Sequence, residues 1–177
     1  MTVINPSDGV SAKKLLEQAV AMEGPCYVRL GRAKVPVFYE DSDQLTLGKG
    51  NLVRDGKDVT IVATGIMVSE AMAAAEKLKE DGIAARIIDI HTIKPIDEEI
   101  LIKAAQETGA IVTAEEHSII GGLGSAVAEV IVKNCPVKMA MVGQKDTYGE
   151  SGKPDELKKK YGMTAEDIEA AVKNLIG

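Results

Sequence analysis

The chain has 177 residues, 45% apolar and 27% charged, with a formal net charge of −6 and no tryptophan. That balance suits a soluble globular protein of one domain, or one domain plus part of another, with length enough to bury a core without disulfides or metals. The acidic charge, without Lys/Arg runs interleaved with aromatics, excludes phosphate-neutralising nucleic-acid binding as a main role.

No run approaches the ~18 continuous apolar residues of a membrane span, and the start lacks the basic and apolar regions of a signal peptide. Cys26 and Cys135 stand far apart in no C-x-x-C motif, which reads as two reduced, packed thiols of a cytoplasmic protein. His91 and His117 are the whole histidine complement, too few for a multi-histidine metal site.

From the amino end, residues 10–21 carry a helical pattern, Glu23, Gly24 and Pro25 break it, and Cys26 to Leu30 read as a strand. A polar stretch from Glu40 to Gln44 follows Tyr39. This pattern predicts that residues 1–39 are the end of one domain, 40–47 a linker and 48–177 a second domain. β-branched runs at 59–63, 85–90, 111–113 and 137–142 read as strands, with helical segments between them. One helix spans 68–80, with Ala71, Met72, Ala75 and Leu78 on its apolar face, and ends at Asp81 and Gly82. Asp97 reads as the N-cap of a helix reaching about Glu107, and a third helix runs from near Gly122 to Lys133. Pro154 opens a short lysine-rich helix, and Thr164 with Asp167 forms a capping-box pattern before the last one. The alternation predicts an α/β fold, a three-layer α/β/α domain with a mostly parallel sheet of about five strands.

Four groups of residues have the chemistry to form a site. Gly121, Gly122, Leu123, Gly124 and Ser125 lie between a strand and a helix, where exposed N–H groups bind an anion or where glycines permit close backbone packing. Their spacing is not G-x-G-x-x-G, and the preceding Glu115 and Glu116 repel phosphate. Glu115, Glu116 and His117 are placed just after the 111–113 strand, as an interface or active-site rim, a hydrogen-bonding loop or an acid/base group. His91, Lys94 and Asp97 read as a structural histidine and turn residues. Arg29 and Arg32 flank Leu30 and Gly31, and either grip a phosphate or form salt bridges.

Taken in order, these segments resemble one family. Residues 3–10 (Val-Ile-Asn-Pro-Ser-Asp-Gly-Val) and 24–32 (Gly-Pro-Cys-Tyr-Val-Arg-Leu-Gly-Arg) are similar to the end of the pyrimidine-binding domain of transketolases. Residues 59–65 (Val-Thr-Ile-Val-Ala-Thr-Gly), 89–97 and 114–125 resemble the transketolase carboxy-terminal domain. The likeness extends to split-transketolase second subunits, deoxyxylulose-phosphate synthases and the β chains of 2-oxo-acid dehydrogenases.

The resemblance implies transfer of two-carbon ketol units between sugar phosphates, with thiamine diphosphate and Mg²⁺ in the complete enzyme. It implies one antiparallel strand, a homodimer, an amino-terminal partner domain or subunit, and a scaffold and dimerisation role for the carboxy-terminal domain. Arg32 matches the arginine that binds the sugar phosphate, and Arg29 a second arginine of the deoxyxylulose-phosphate synthases. The family's Gly-Asp-Gly…Asn diphosphate motif has no counterpart here, since none of the Asp-Gly pairs at 8–9, 55–56 and 81–82 follows a glycine. The cofactor-contacting glutamate also has no counterpart. The chain is therefore expected to be a transketolase piece that binds no cofactor alone and lacks a complete active site. Competing readings are a free-standing anion- or nucleotide-binding module and a non-catalytic dimerisation subunit.

Overall fold

A computed structural model describes residues 1–32 and 34–177. The elements run β1 (Thr2–Ile4), α1 (Gly9–Ala21), β2 (Cys26–Val28), β3 (Asn51–Arg54), β4 (Val59–Ala63), α2 (Met67–Glu80), β5 (Ala85–Asp89) and β6 (Thr92–Lys94). They continue with α3 (Glu98–Thr108), β7 (Ala110–Ser118), α4 (Leu123–Asn134), β8 (Lys138–Gln144), α5 (Pro154–Lys160) and α6 (Ala165–Ile176). Five strands form the main sheet in the order β3-β5-β4-β7-β8. All neighbours are parallel except β3, which pairs antiparallel with β5. The expected mixed α/β/α architecture is therefore present, with its antiparallel strand at one edge.

The central strand shows why the layers form. Every residue of β4 is buried. Val59, Ile61 and Ala63 join the core beneath α2 and α6, while Val62 joins the opposite core beneath α3 and α4. A strand covered on both faces is apolar along most of its length, each buried aliphatic side chain contributing about 1.5–3 kcal/mol. The one polar residue here, Thr60, pairs with the Thr108 hydroxyl at 2.9 Å. In α2, Ala71, Ala74 and Ala75 are fully buried, so small side chains bring this helix close to the sheet. Asp97 caps α3 by accepting from the Ile100 N–H at 3.4 Å, and Gly109 ends it in the left-handed conformation at φ 69°. The Thr164–Asp167 capping box at α6 is formed.

Three short strands, β1, β3 and β6, escape the sequence reading, and the strand that begins at Cys26 ends at Val28. β2, β1 and β6 make a second sheet in that order, with β1 parallel to β2 and antiparallel to β6. β6 thereby ties the amino-terminal segment to the rest of the chain. Ile4, Leu15, Tyr39 and Leu45 form a small core there. The 40–47 stretch packs on α1: the Gln18 amide donates to the Leu45 carbonyl at 2.7 Å, and its oxygen accepts from the Leu47 N–H at 3.0 Å.

The carboxyl end of β5 carries two buried titratable groups. Asp89 is fully buried, and its Oδ2 accepts from the Ser7 hydroxyl at 2.5 Å and the Tyr39 hydroxyl at 3.0 Å. Its Oδ1 has no partner among the described residues. Burial pushes the Asp89 carboxyl up to about 7 against two hydroxyl donors that favour the charged form. His91, also fully buried, contacts Thr92 Oγ1 at 3.0 Å and Asn51 Oδ1 at 3.2 Å, as expected of a structural histidine. Burial pushes its ring down to about 4.

These shifts have opposite linkage. The stability tied to protonated Asp89 is complete below the unfolded carboxyl value near ~4 and is lost as pH rises through about 7. The stability tied to neutral His91 is complete above its unfolded value near ~6.5 and is lost as pH falls through about 4. Between these limits the two contributions oppose each other. Asp89→Asn should make the pH slope of stability more positive, and His91→Gln more negative, by up to about 1.4 kcal/mol per pH unit. Urea unfolding at several pH values across that window measures both slopes, and a shift of the same sign in both variants contradicts the assignment.

Candidate functional site

The strand order places a topological switch between β4 and β7, because the chain leaves β4 toward β5 on one side and returns at β7 on the other. Ligand sites of open α/β sheets form beyond the strand ends at such a point. Two clefts lie there. The larger, about 750 Å³, includes Thr64 after β4, Glu115 and His117 of β7, and Gly121 and Gly122 before α4. The smaller, about 400 Å³, is walled by Arg29 and Arg32 on the amino-terminal side and by Glu116, His117, Gln144 and Tyr161 on the other.

The sequence reading set the end of the 111–113 strand too early. β7 continues to Ser118, so Glu115, Glu116 and His117 lie within the strand and not beyond it. Pairing with β8 extends to Ser118 opposite Gln144, with a register shift after Ala114. The polar Glu-Glu-His sequence suggests a loop, yet Glu115 and His117, two apart on the strand, share one side of it, with His117 Nδ1 3.8 Å from Glu115 Oε2. Glu115 is 1% exposed, whereas His117 is exposed.

Glu115 decides what the start of α4 can do. Its Oε2 accepts from the Leu123 N–H at 2.7 Å, and its Oε1 from the Gly124 N–H at 2.8 Å. The N-cap residue Gly122 supplies no side-chain cap, so a carboxylate from the neighbouring strand takes that place. The amides that an anionic ligand would use are already occupied. Glycine is needed at the turn: a Cβ on Gly122 would lie 2.0 Å from Glu115 Oε2, and Gly121 has φ +74°. A Cβ on Gly124 would lie 2.8 Å from Met141 Sδ and 2.9 Å from Thr113 Oγ1, so this glycine serves close helix-to-sheet packing. This geometry supports the packing reading of the glycine segment over the anion site.

Arg29 is half-buried between the clefts, and its Nη2 donates to the Glu116 carbonyl at 2.6 Å. Arg32 is exposed on the wall of the smaller cleft and has no carboxylate partner among the described residues. His117 borders both clefts, and its Nδ1 lies 2.9 Å from the Ser118 carbonyl. A carbonyl only accepts, so Nδ1 carries the proton and Nε2 is left for other partners. The structure therefore brings Arg29, Arg32, Glu116 and His117 together and leaves Gly124 out of the cleft walls. Gln144, Tyr161, Asn5 and Pro6 are wall residues that no sequence signal marked.

Among the described residues no group of three or more His, Cys, Asp or Glu is placed to hold a metal ion, and no helix is long and apolar enough to cross a membrane. Thiamine diphosphate needs free amides or cations for its diphosphate and oxygen ligands for Mg²⁺. With the Leu123 and Gly124 amides taken by Glu115, the start of α4 offers no site for that diphosphate.

A doubly covered, mostly parallel sheet with one antiparallel edge strand defines a three-layer α/β protein. The family model for the transketolase C-terminal domain matches residues 48–168, and the chain belongs to that family. It is 49% identical over 168 residues to the 6-deoxy-6-sulfo-D-fructose transketolase subunit SqwH of Clostridium sp. strain MSTE9, covering 95% of this chain and 52% of the relative. It is 43% identical over 169 residues to one of the subunits of the apulose-4-phosphate transketolase of Phocaeicola vulgatus, covering 95% of this chain and 54% of that one. A solved structure described as a split gene transketolase, inactive beta4 tetramer, matches with a TM-score of 0.96 at 48% identity, over 99% of this chain and 58% of that chain. The chain thus spans about half the length of the curated relatives it matches.

Glu115→Ala should remove both cap hydrogen bonds of α4 and leave two buried N–H groups unpaired, a loss of about 3 kcal/mol. That corresponds to a fall in Tm of roughly 6–12 °C. Calorimetry of the 177-residue chain tests it. A wild-type Tm in the variant would show that the cap is dispensable.

Proposed function

We propose that the chain is the carboxy-terminal portion of a cytoplasmic transketolase, acting with a partner that carries the remaining domains. Together they transfer two-carbon ketol units between sugar phosphates. Residues 1–39 are the end of a pyrimidine-binding domain, 40–47 the linker, and 48–177 the carboxy-terminal domain, which serves scaffold and homodimer contacts. Thiamine diphosphate with Mg²⁺ supplies the electron sink for the transferred unit and is held by the partner's residues.

The observation that carries this reading is the placement of Arg32. Its exposed guanidinium stands on a cleft wall beside Arg29, near a strand end at the switch point. A guanidinium without a carboxylate partner matches a phosphate's charge and bidentate geometry. Arg29 is partly committed to the Glu116 carbonyl and supports the wall. Glu115, Glu116 and His117, with Gly121 and Gly122, form the rim on the opposite side.

Two measurements test the reading. In enzyme reconstituted from this chain and its amino-terminal partner, Arg32→Ala should raise the sugar-phosphate KM by about tenfold or more with kcat little changed. An unchanged KM removes Arg32 from the site. Calorimetric titration of this chain alone with thiamine diphosphate and Mg²⁺ should give no binding heat, and heat should appear once the partner is added. One-to-one binding to the chain alone would overturn the division of labour.

A further inference from the structure

The described residues around Arg32, from Leu30 to Arg32 and from Lys34 to Val37, have few attachments of their own. Among the described residues, none between Leu30 and Val37 makes a backbone hydrogen bond or a side-chain hydrogen bond. The segment is instead held at its two ends. At the start, the Arg29 N–H donates to the Ile4 carbonyl at 2.8 Å, and the Arg29 guanidinium reaches the Glu116 carbonyl. At the finish, the N–H groups of Phe38 and Tyr39 both donate to Oδ2 of Asp8, at 3.1 and 2.9 Å.

Asp8 is only 3% exposed, and its other oxygen is also occupied. Oδ1 accepts from the Ser11 N–H at 2.8 Å and completes the capping box of α1. One carboxylate therefore fastens three backbone donors from two parts of the chain. Pro6, two residues earlier, lines the same cleft as Arg32, so the clamp sits directly behind the wall.

We infer that Asp8 is a positioning residue for Arg32: it closes the arginine-bearing segment onto the start of α1 and so fixes where the guanidinium meets a substrate phosphate. The inference rests on the proposed role of Arg32. Asp8 does not touch the substrate. It acts by reducing the conformational freedom that Arg32 would otherwise lose on binding.

The chemistry demands a carboxylate at this position. An amide has a single acceptor oxygen, and its NH₂ would face N–H groups. Asparagine can keep the helix cap or the clamp on the loop, but not both. Loosening the loop weakens ground-state and transition-state contacts to the phosphate alike, so the loss falls on KM and leaves kcat unchanged.

The test uses the reconstituted enzyme with two ketol donors, one phosphorylated and one lacking the phosphate, and the variants Arg32→Ala, Asp8→Asn and their combination. Asp8→Asn should raise KM for the phosphorylated donor about tenfold. The KM for the unphosphorylated donor and both kcat values should stay within about twofold. The combined variant should be no worse than Arg32→Ala alone, because both changes remove one interaction. Equal damage with both donors, a fall in kcat alone, an unchanged KM, or additive effects would reduce Asp8 to a purely structural role. If Arg32→Ala itself leaves the phosphorylated KM unchanged, the phosphate reading fails and this inference falls with it. Should Asp8→Asn fail to fold, Tyr39→Phe provides the second variant. It frees the same end of the segment from Asp89 without touching the α1 cap, and should give a smaller rise with the same donor selectivity. A rise with no donor selectivity would overturn the proposal.

Discussion

Two carboxylates removed from water organise the functional end of this molecule. Asp89 closes β5 and Glu115 lies toward the end of β7, and both are buried to within 1%. A carboxylate cannot be taken out of water cheaply unless donors meet it. The donors therefore define the architecture. Glu115 is met by the first amides of α4, which seats that helix over its own strand. Asp89 is met by hydroxyls of Ser7 and Tyr39, which draw the amino-terminal segment onto the end of the main sheet. A third buried carboxylate, Asp8, extends the chain of contacts to Phe38 and Tyr39.

The remaining features of the site follow. With the amino-terminal segment held against β5 and β6, its two arginines face β7 across a narrow cleft. With α4 held by Glu115, the glycine turn is pressed tightly enough that a methyl group at Gly122 would collide with the capping oxygen. The site is thus composite. One wall comes from the amino-terminal segment and the other from residues matched by the transketolase C-terminal domain model. A chain that spans about half of its relatives still contains both walls of this cleft.

Much of the fold was legible in the sequence, and the exceptions share a cause. β4 and β5 are β-branched runs bounded by turn residues, α2, α3, α4 and α6 carry helical periodicity, and α3 and α6 also have side-chain caps close at hand. β1, β3 and β6 have three or four residues each, too few to establish a period of two. Their pairing partners come from distant parts of the chain. The site was legible in part: Arg29, Arg32, Glu116 and His117 were named and do converge. The role of Glu115 was hidden because its donors lie across a turn, at positions 123 and 124. Asp8 carried a readable signal, a Pro-Ser-Asp-Gly sequence with Asp8 three residues before Ser11, which marks an N-cap. Starting the helix at Val10 passed over it. Its contact with residues 38 and 39 had no local signature at all.

The second sheet has a further consequence for the chain in solution. β2 is an outer strand, with β1 on one flank and no strand on the other among the described residues. Unpaired backbone groups on an open edge attract other strands, while a net charge of −6 drives copies of the chain apart. Colloidal behaviour is then set by competition between a short-range directional attraction and a longer-range repulsion that salt screens. The edge is only three residues long, and Pro25, which cannot donate, stands immediately before it. Any strand added there must therefore find its hydrogen bonds toward the Val28 end, next to the arginine-bearing segment, so self-association and the geometry of the cleft draw on the same few residues.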